Sequence, residues 1–585
     1  MRKHLFAAVL SAVFALTFVV TQAAGPALIA DAAQRGDVVA VQDLLRRHSD
    51  VNAAQADGMT ALHWSALNGD LVMVNLLLKA QAAVDTTTRL GGYTPLHLAS
   101  SRGHGAVVVR LLDAGSKATT LTSTGVQPIH LAAQAGDLVG VQALLAHGAD
   151  MNVKDVTHER TPLIFAAAEN RVDVMKFLVS KGANVNQTTK VIDYLDRAKT
   201  DNTERTTRDK EVAAALGKPA PSGRGLPFDP NDPDPQAAQA AALAGVGGGG
   251  RGGRGAGGPR PPSDIETIGK QGGFTALHYA VRDGFVEAAE VLMEARADIN
   301  APSAGDKSTP LVVAAINGQY DLAMALLARG ANPNLANDDG VAPLFATINA
   351  EWALRTWYPQ PTAGTQQKAA YIQLMDALLK GGADPNARTL SHIWYASYNT
   401  GRMGVDFAGA TAFWRAAYAL DVDAMRLLVK YGADPNLATK TFGTPKRPND
   451  ASGLDAVPTG GQHVPPLHAA SGVGYGTSRV AQQHRHVPDG WMPAAKYFIE
   501  ELKIDVNLRD AEGFTALHHA AARGDNEMIK YLVSKGADVM AVNRAGQTTV
   551  DMANSPEQRT QPFPETIKLL EGMGAKNNHH CQACK

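Results

Sequence analysis

The chain has 585 residues, with 55 Lys and Arg against 56 Asp and Glu and a formal net charge of −1. So close a balance excludes binding to nucleic acid or to an acidic membrane surface through bulk charge. The only two cysteines, Cys581 and Cys584, lie in the last five residues, so no disulfide framework holds the body together and its stability must come from packing.

In chain order, Arg2, Lys3 and His4 make a basic start, and residues 5–20 form an apolar run broken only by Ser11 and Thr17. Thr21-Gln22-Ala23 then offers small residues where a signal peptidase reads. The pattern predicts a cleaved secretory signal over residues 1–23. The run is shorter than the ~20 apolar residues that a span prefers, and no later stretch can cross a membrane. A periplasmic or secreted protein is expected, with no stable membrane insertion after cleavage.

From Ala27 onward one line recurs. "YTPLHLASSRGHGAVVVRLLDAGSKA" and "FTALHHAAARGDNEMIKYLVSKGADV" are two of its copies. Aligned on their first Thr, the copies begin at Thr60, Thr94, Gln127 and Thr161, at Thr275, Thr309 and Ala342, and at Thr515 and Thr548, with steps of 33 or 34. Thr515 suits a helix N-cap, because its hydroxyl accepts from a free N–H of the first turn. A proline next to the cap, as in Pro95, costs nothing there. Leu517, Ala520 and Ala521 share a helix face, and Gly524 suits the stop. Asp525 can cap a second helix, whose Ile529, Leu532 and Val533 point inward at helical spacing. One copy cannot cover its own apolar face, so neighbouring copies must stack.

A period near ~33 with T-P-L-H-x-A resembles the ankyrin-repeat family over most of the chain beyond the signal. The resemblance implies an all-α solenoid of about 11–12 repeats in two blocks, with inserted loops. The expected organisation is a block over 25–190, a disordered linker over 191–272, a block with insertions over 273–575 and a His/Cys tail over 576–585. In that family the recurrent imidazole bridges backbone groups of adjacent repeats, so His63, His97, His130, His278 and His518 are expected to be structural. The RGD triplets at Arg35 and Arg523 fall in turns where the fold itself wants Gly-Asp.

Function is then sought where the copies differ. Residues 187–272 begin with a charged stretch suited to partial helix and continue as a Gly/Pro-rich segment with little to bury. Arg251 and Arg254 there make an RGG-like element without interleaved aromatics, so a flexible linker is the reading and no nucleic-acid partner is expected. Between 345 and 505 three copies are stretched by insertions that bulge from the array, and five of the six tryptophans gather there. Trp352, Trp357, Tyr358, Trp394, Tyr395 and Trp491 are the candidate partner-binding residues, since Trp and Tyr dominate binding hot spots and long loops tend to be functional. The competing reading packs them onto the solenoid, along with Trp414 and Tyr475. His484 and His486, with His463 and His468, lack a recognisable third ligand spacing for a metal.

The tail "NNHHCQACK" leaves three readings open: a local disulfide between Cys581 and Cys584, a small metal site with His579 and His580, or a covalent haem with Lys585 in place of the usual His. No G-x-S-x-G, H-E-x-x-H or P-loop occurs, so neither an enzyme nor a cofactor is expected. The resemblance implies a monomeric scaffold for protein partners outside the cytoplasm. The rivals are an envelope redox or metal-handling accessory that uses the tail, and a secreted effector acting on a host protein.

Overall fold

The computed structural model describes residues 27–215, 264–353, 362–391, 393, 405–441, 443–444, 450–475, 485–555 and 561–580. Each copy folds as two short antiparallel helices followed by an extended turn. In the Thr94 copy these are Pro95–Arg102 and Gly105–Asp113, and in the Thr515 copy Ala516–Ala522 and Asn526–Ser534. The reason is local. Thr94 Oγ1 accepts from His97 N at 3.3 Å, and Asp525 Oδ1 accepts from Met528 N at 3.0 Å. These side chains take up N–H groups that a helix start leaves without partners.

The chain forms two compact units, Met1–Thr157 and His158–Lys585. The first holds the copies opened by Ala27, Thr60, Thr94 and Gln127. The second holds those opened by Thr161, Thr275, Thr309, Ala342, Thr411, Pro465, Thr515 and Thr548. Within each unit the cores are rows of Leu, Val and Ala between successive copies, such as Leu96, Ala99 and Leu111 in the first unit and Leu517, Ala520 and Ile529 in the second.

Two polar ladders run beside these cores. In the first, Thr60 N donates to His63 Nδ1 at 3.1 Å, which leaves the ring proton on Nε2, and Nε2 donates to Tyr93 O of the next copy at 3.0 Å. His97 reaches Val126 O at 3.2 Å, His130 reaches Val153 O at 3.0 Å and His278 reaches Ser308 O at 3.0 Å in the same way. His518 makes the same cap, to Thr515 at 3.1 Å, and its ring faces the Gln547 and Ala541 backbone of the following copy. His468 reaches Leu508 O at 3.0 Å. In the second ladder an Asn or Asp after the second helix of several copies accepts a backbone N–H of the next copy. Asn52 accepts from Ala83, Asn300 from Asn332 and Asn507 from Asp538, at 2.8, 2.8 and 2.7 Å.

The expected linker is structured at both ends. Val191–Asp193 pairs antiparallel with Lys270–Gly272, and Tyr194–Ala215 and Asp264–Ile268 are helical. The copies on either side of it pack directly. Pro162–Ala167 lies against Ala276–Asp283, and Asn186 Oδ1 accepts from Asp298 N at 2.9 Å, one more rung of the ladder. The insertion therefore leaves and re-enters the array at one point, because neither neighbouring copy can leave its apolar face uncovered. Residues 216–263 lie outside the described residues.

The described parts of the later insertions lie against the array, where bulging loops were expected. Residues 440–462 pair through Lys440 with Gln462 and Thr444 with Val457. The loop is fixed by Arg544, which donates to Asp450 Oδ2 at 2.7 Å, to Leu454 O at 3.1 Å and to Asp455 O. Both charged side chains are buried, and a buried charge must be paired to be tolerated.

Candidate partner-binding site

The described aromatic residues of the insertions collect at the C-terminal ends of the first helices of the Ala342, Thr411, Pro465 and Thr515 copies. The helix Pro343–Trp352 runs to ten residues, long enough to carry Trp352 past the end of the usual first helix. Asp421 waits there. It caps the helix Val422–Lys430 through Oδ1, while its Oδ2 accepts from Trp352 Nε1 at 2.9 Å and from the Tyr371 hydroxyl at 2.7 Å. Burial, and then the Asp421 charge, push the Tyr371 phenol far above its usual range, so it stays a donor.

A strap over residues 485–491 ties this point to the following copies. Arg485 Nη1 donates to Glu351 O at 2.7 Å and to Ala353 O at 3.1 Å, and the guanidinium lies 5.8 Å from the Trp352 ring centre. A cation on free carbonyls at a helix C-terminus is well placed electrostatically. Val487 N donates to Ala419 O at 2.9 Å. At Gly490 the strap presses so close to the array that a Cβ would sit 2.7 Å from Leu420 Cβ. Trp491 then closes over Arg523, whose guanidinium lies 3.6 Å from the indole centre. Tyr475 and His486 meet the same indole edge-on at 5.7 and 5.1 Å.

Arg523 is the arginine of the second RGD. Its Nη2 donates to Asp525 Oδ2 at 2.9 Å and its Nε to Ser471 O at 3.2 Å, with only 6% of the side chain exposed. The triplet is folded onto itself and under Trp491.

Of the predicted partner-binding residues, Trp352 and Trp491 are thus joined by one strap, and both remain partly exposed. Trp357, Tyr358, Trp394 and Tyr395 lie outside the described residues, as do Cys581, Cys584 and His484. Trp414 is core: it is fully buried, stacks on Tyr418 at 5.4 Å and donates to Val464 O at 2.8 Å. His580 Nδ1 lies 3.0 Å from Ala545 O, and His579 N donates to Asn577 Oδ1 at 2.9 Å, so the start of the tail runs beside the last turn. Among the described residues no three His, Cys, Asp or Glu side chains converge as metal ligands, and no helix is long and apolar enough to cross a membrane. The reading of the sequence missed Arg485, Asp421 and Arg523 as the organisers of the site. Arg485 stands next to the noted His486, yet its acceptors are main-chain carbonyls, which no side-chain pattern marks.

Paired helices, Thr caps, bridging histidines and stacked copies define a helical repeat solenoid. Ankyrin-repeat family models match residues 29–122, 106–189, 261–337 and 483–533. The chain belongs to the ankyrin-repeat family, and its repeats are protein-interaction modules. It is 36% identical over 153 residues to an ankyrin repeat and KH domain-containing protein of Caenorhabditis briggsae, covering 26% of this chain and 6% of that one. It is 26% identical over 251 residues to alpha-latrocrustotoxin-Lt1a of Latrodectus tredecimguttatus, covering 42% and 13%. To a palmitoyltransferase of Drosophila melanogaster it is 35% identical over 88 residues, covering 15% and 14%. The matches span no more than 14% of the length of these relatives.

Proposed function

We propose that this chain is a protein-binding scaffold that works outside the cytoplasm and takes its partner at the strap and the aromatic residues beside it. The observation that carries the reading is the strap itself. It gathers two half-exposed tryptophans, two arginines, Tyr371 and Tyr475 from separate copies onto one stretch of the array. Trp, Tyr and Arg are the residues that dominate protein-binding hot spots. Rigid aromatic side chains already held by Asp421 and Arg523 lose little entropy when a partner arrives. Export rests on the basic, apolar and small-residue order of positions 1–23.

The test is site-specific photo-crosslinking in the native cell, with the probe at Trp352 or Trp491 and a control probe at exposed Val212. One protein captured from both strap positions and not from the control supports the site. Removing the partner's contacts with W352A and W491A should weaken binding by at least about ten-fold each, the scale of a hot-spot residue. Capture that survives both substitutions but is lost in C581S would move the function to the tail. N-terminal sequencing of the protein recovered from the envelope checks the cleavage near residue 23.

A further inference from the structure

The seam between the Pro465 and Thr515 copies is unlike the others in what it buries. His468, His518 and His519 are all within it, at 0%, 0% and 5% exposure. The rings of His468 and His519 stand edge to face at 5.4 Å. His519 Nε2 faces Asp510 Oδ2 at 4.0 Å, beyond hydrogen-bond reach. His468 Nδ1 and His519 Nε2 close no hydrogen bond. At the place of His519 other copies use Leu98, Leu131, Phe165, Tyr279 or Val313, and the Thr411 copy uses Arg415. The Thr60 copy uses Trp64, which donates to Gln55 at 2.7 Å. The buried Arg415 is served by Asn349 Oδ1 at 2.8 Å, whereas here two imidazoles, His468 and His519, meet each other.

The seam is also thin. The first helix on its N-terminal side, Pro466–Ala469, has four residues, against eight in Pro95–Arg102. The second helix of the same copy switches to π winding over Tyr497–Glu501, a form with poorer intrinsic stability.

The charges around the cluster decide how it responds to protons. Asp510 Oδ1 accepts from Phe514 N at 2.8 Å and from Glu512 N at 3.0 Å. Burial nevertheless holds its carboxyl up at about 7, and the Glu512 charge adds to this, so the carboxyl takes up its proton as the pH falls through neutrality. Burial pushes His468 down to about 4, His518 to about 3 and His519 well below its usual value. Arg509 beside His468 and His518, and Arg523 beside His519, are fixed positive charges that oppose further protonation. Once Asp510 is neutral, an imidazolium here has no counter-charge.

We propose that this seam is an acid-operated joint: charging an imidazole in the His468, His518 and His519 cluster parts the Thr515 and Thr548 copies, Arg544 with them, from the array and the 450–455 loop before them. Water reaches the rings when the seam opens, and the open form then holds the extra protons. Parting also lifts Arg523 away from Trp491 and undoes one end of the strap.

Hydrogen exchange read by mass spectrometry on the full chain, at about pH 7 and about pH 5 after correction for intrinsic rates, tests the joint. A histidine that titrates near 4 when buried and near 6.5 when wet favours the open form by about thirty-fold at pH 5. Three such histidines, opposed by the raised Asp510 carboxyl and set against the one His97 of the Thr94 copy, leave an excess acceleration of about ten-fold over residues 466–475 and 515–523. In H519L, which installs the residue of the Thr94 and Gln127 copies, the excess should vanish. If H519L does not fold, H519F, after Phe165, makes the same test. Equal acceleration in the two copies, or a variant that opens as the wild type does, overturns the proposal.

Discussion

Trp414 shows how much one side chain can hold. It is fully buried, stacks on Tyr418, meets Phe407 edge-on at 5.5 Å and reaches across to Val464 O. Trp414→Ala should cost about 3–5 kcal/mol, since it opens a large cavity and strands a carbonyl. A urea melt of the variant against the wild type measures it, and a loss under about 1 kcal/mol would mean that the site collapses to fill the gap. At this scale the sequence was readable where partners are close along the chain. Thr94 and His97 are three residues apart and announce their helix. Arg485 and its acceptors are more than 130 residues apart, and a backbone carbonyl has the same chemistry at every position. The paired roles of Asp421, cap for one helix and acceptor for two aromatic side chains, were hidden for the same reason.

Among the elements, the insertion at 191–272 is the clearest case of composition misleading about boundaries. Polar, helix-compatible residues over 194–215 gave no sign of a strand before them. The three residues of Val191–Asp193 become a strand only because Lys270–Gly272 returns to pair with them. That pairing makes a direct prediction. Joining Asp193 to Lys270 through Asn-Gly, which favours the two-residue turn of a hairpin, should leave the array folded. Circular dichroism and the urea midpoint of the shortened chain check it, with the midpoint expected to stay close to that of the full chain. A collapse of the midpoint would show that residues 194–269 stabilise the stack at this point. The repeat copies themselves were legible because the 33-residue period writes the same contacts again and again, while each insertion is written once.

For the whole molecule, the buried histidines set a pH limit. Burial lowers His63, His97, His278, His463, His468 and His518, with His97 and His278 near 4. Each takes up a proton more readily when unfolded, so its contribution is fully present above about pH 6.5 and is lost as the pH falls toward 4. A shift from 6.5 to about 4 is worth about 3 kcal/mol for one histidine. Asp510 acts in the opposite sense, its raised carboxyl favouring the fold as the pH falls from 7 toward 4, and offsets somewhat more than one histidine. The unfolding midpoint should therefore drop steeply between pH 6 and pH 4.5, in a range where exposed carboxylates still carry charge. A midpoint flat across that range would contradict the buried, neutral state of these rings.

The strap at 485–491 has a mechanical consequence. An array of nearest-neighbour contacts, pulled from one end, peels a copy at a time like a zip fastener. Arg485 fastens the Pro465 copy to the Ala342 copy, two positions back, while Val487 holds the Thr411 copy between them. Tension from the C-terminus must first pull Arg544 out of the 450–455 loop before the Thr548 and Thr515 copies come away. It then meets three copies that must give way together, so the force needed rises in one step and the stretch behaves as a stiff beam set into a spring.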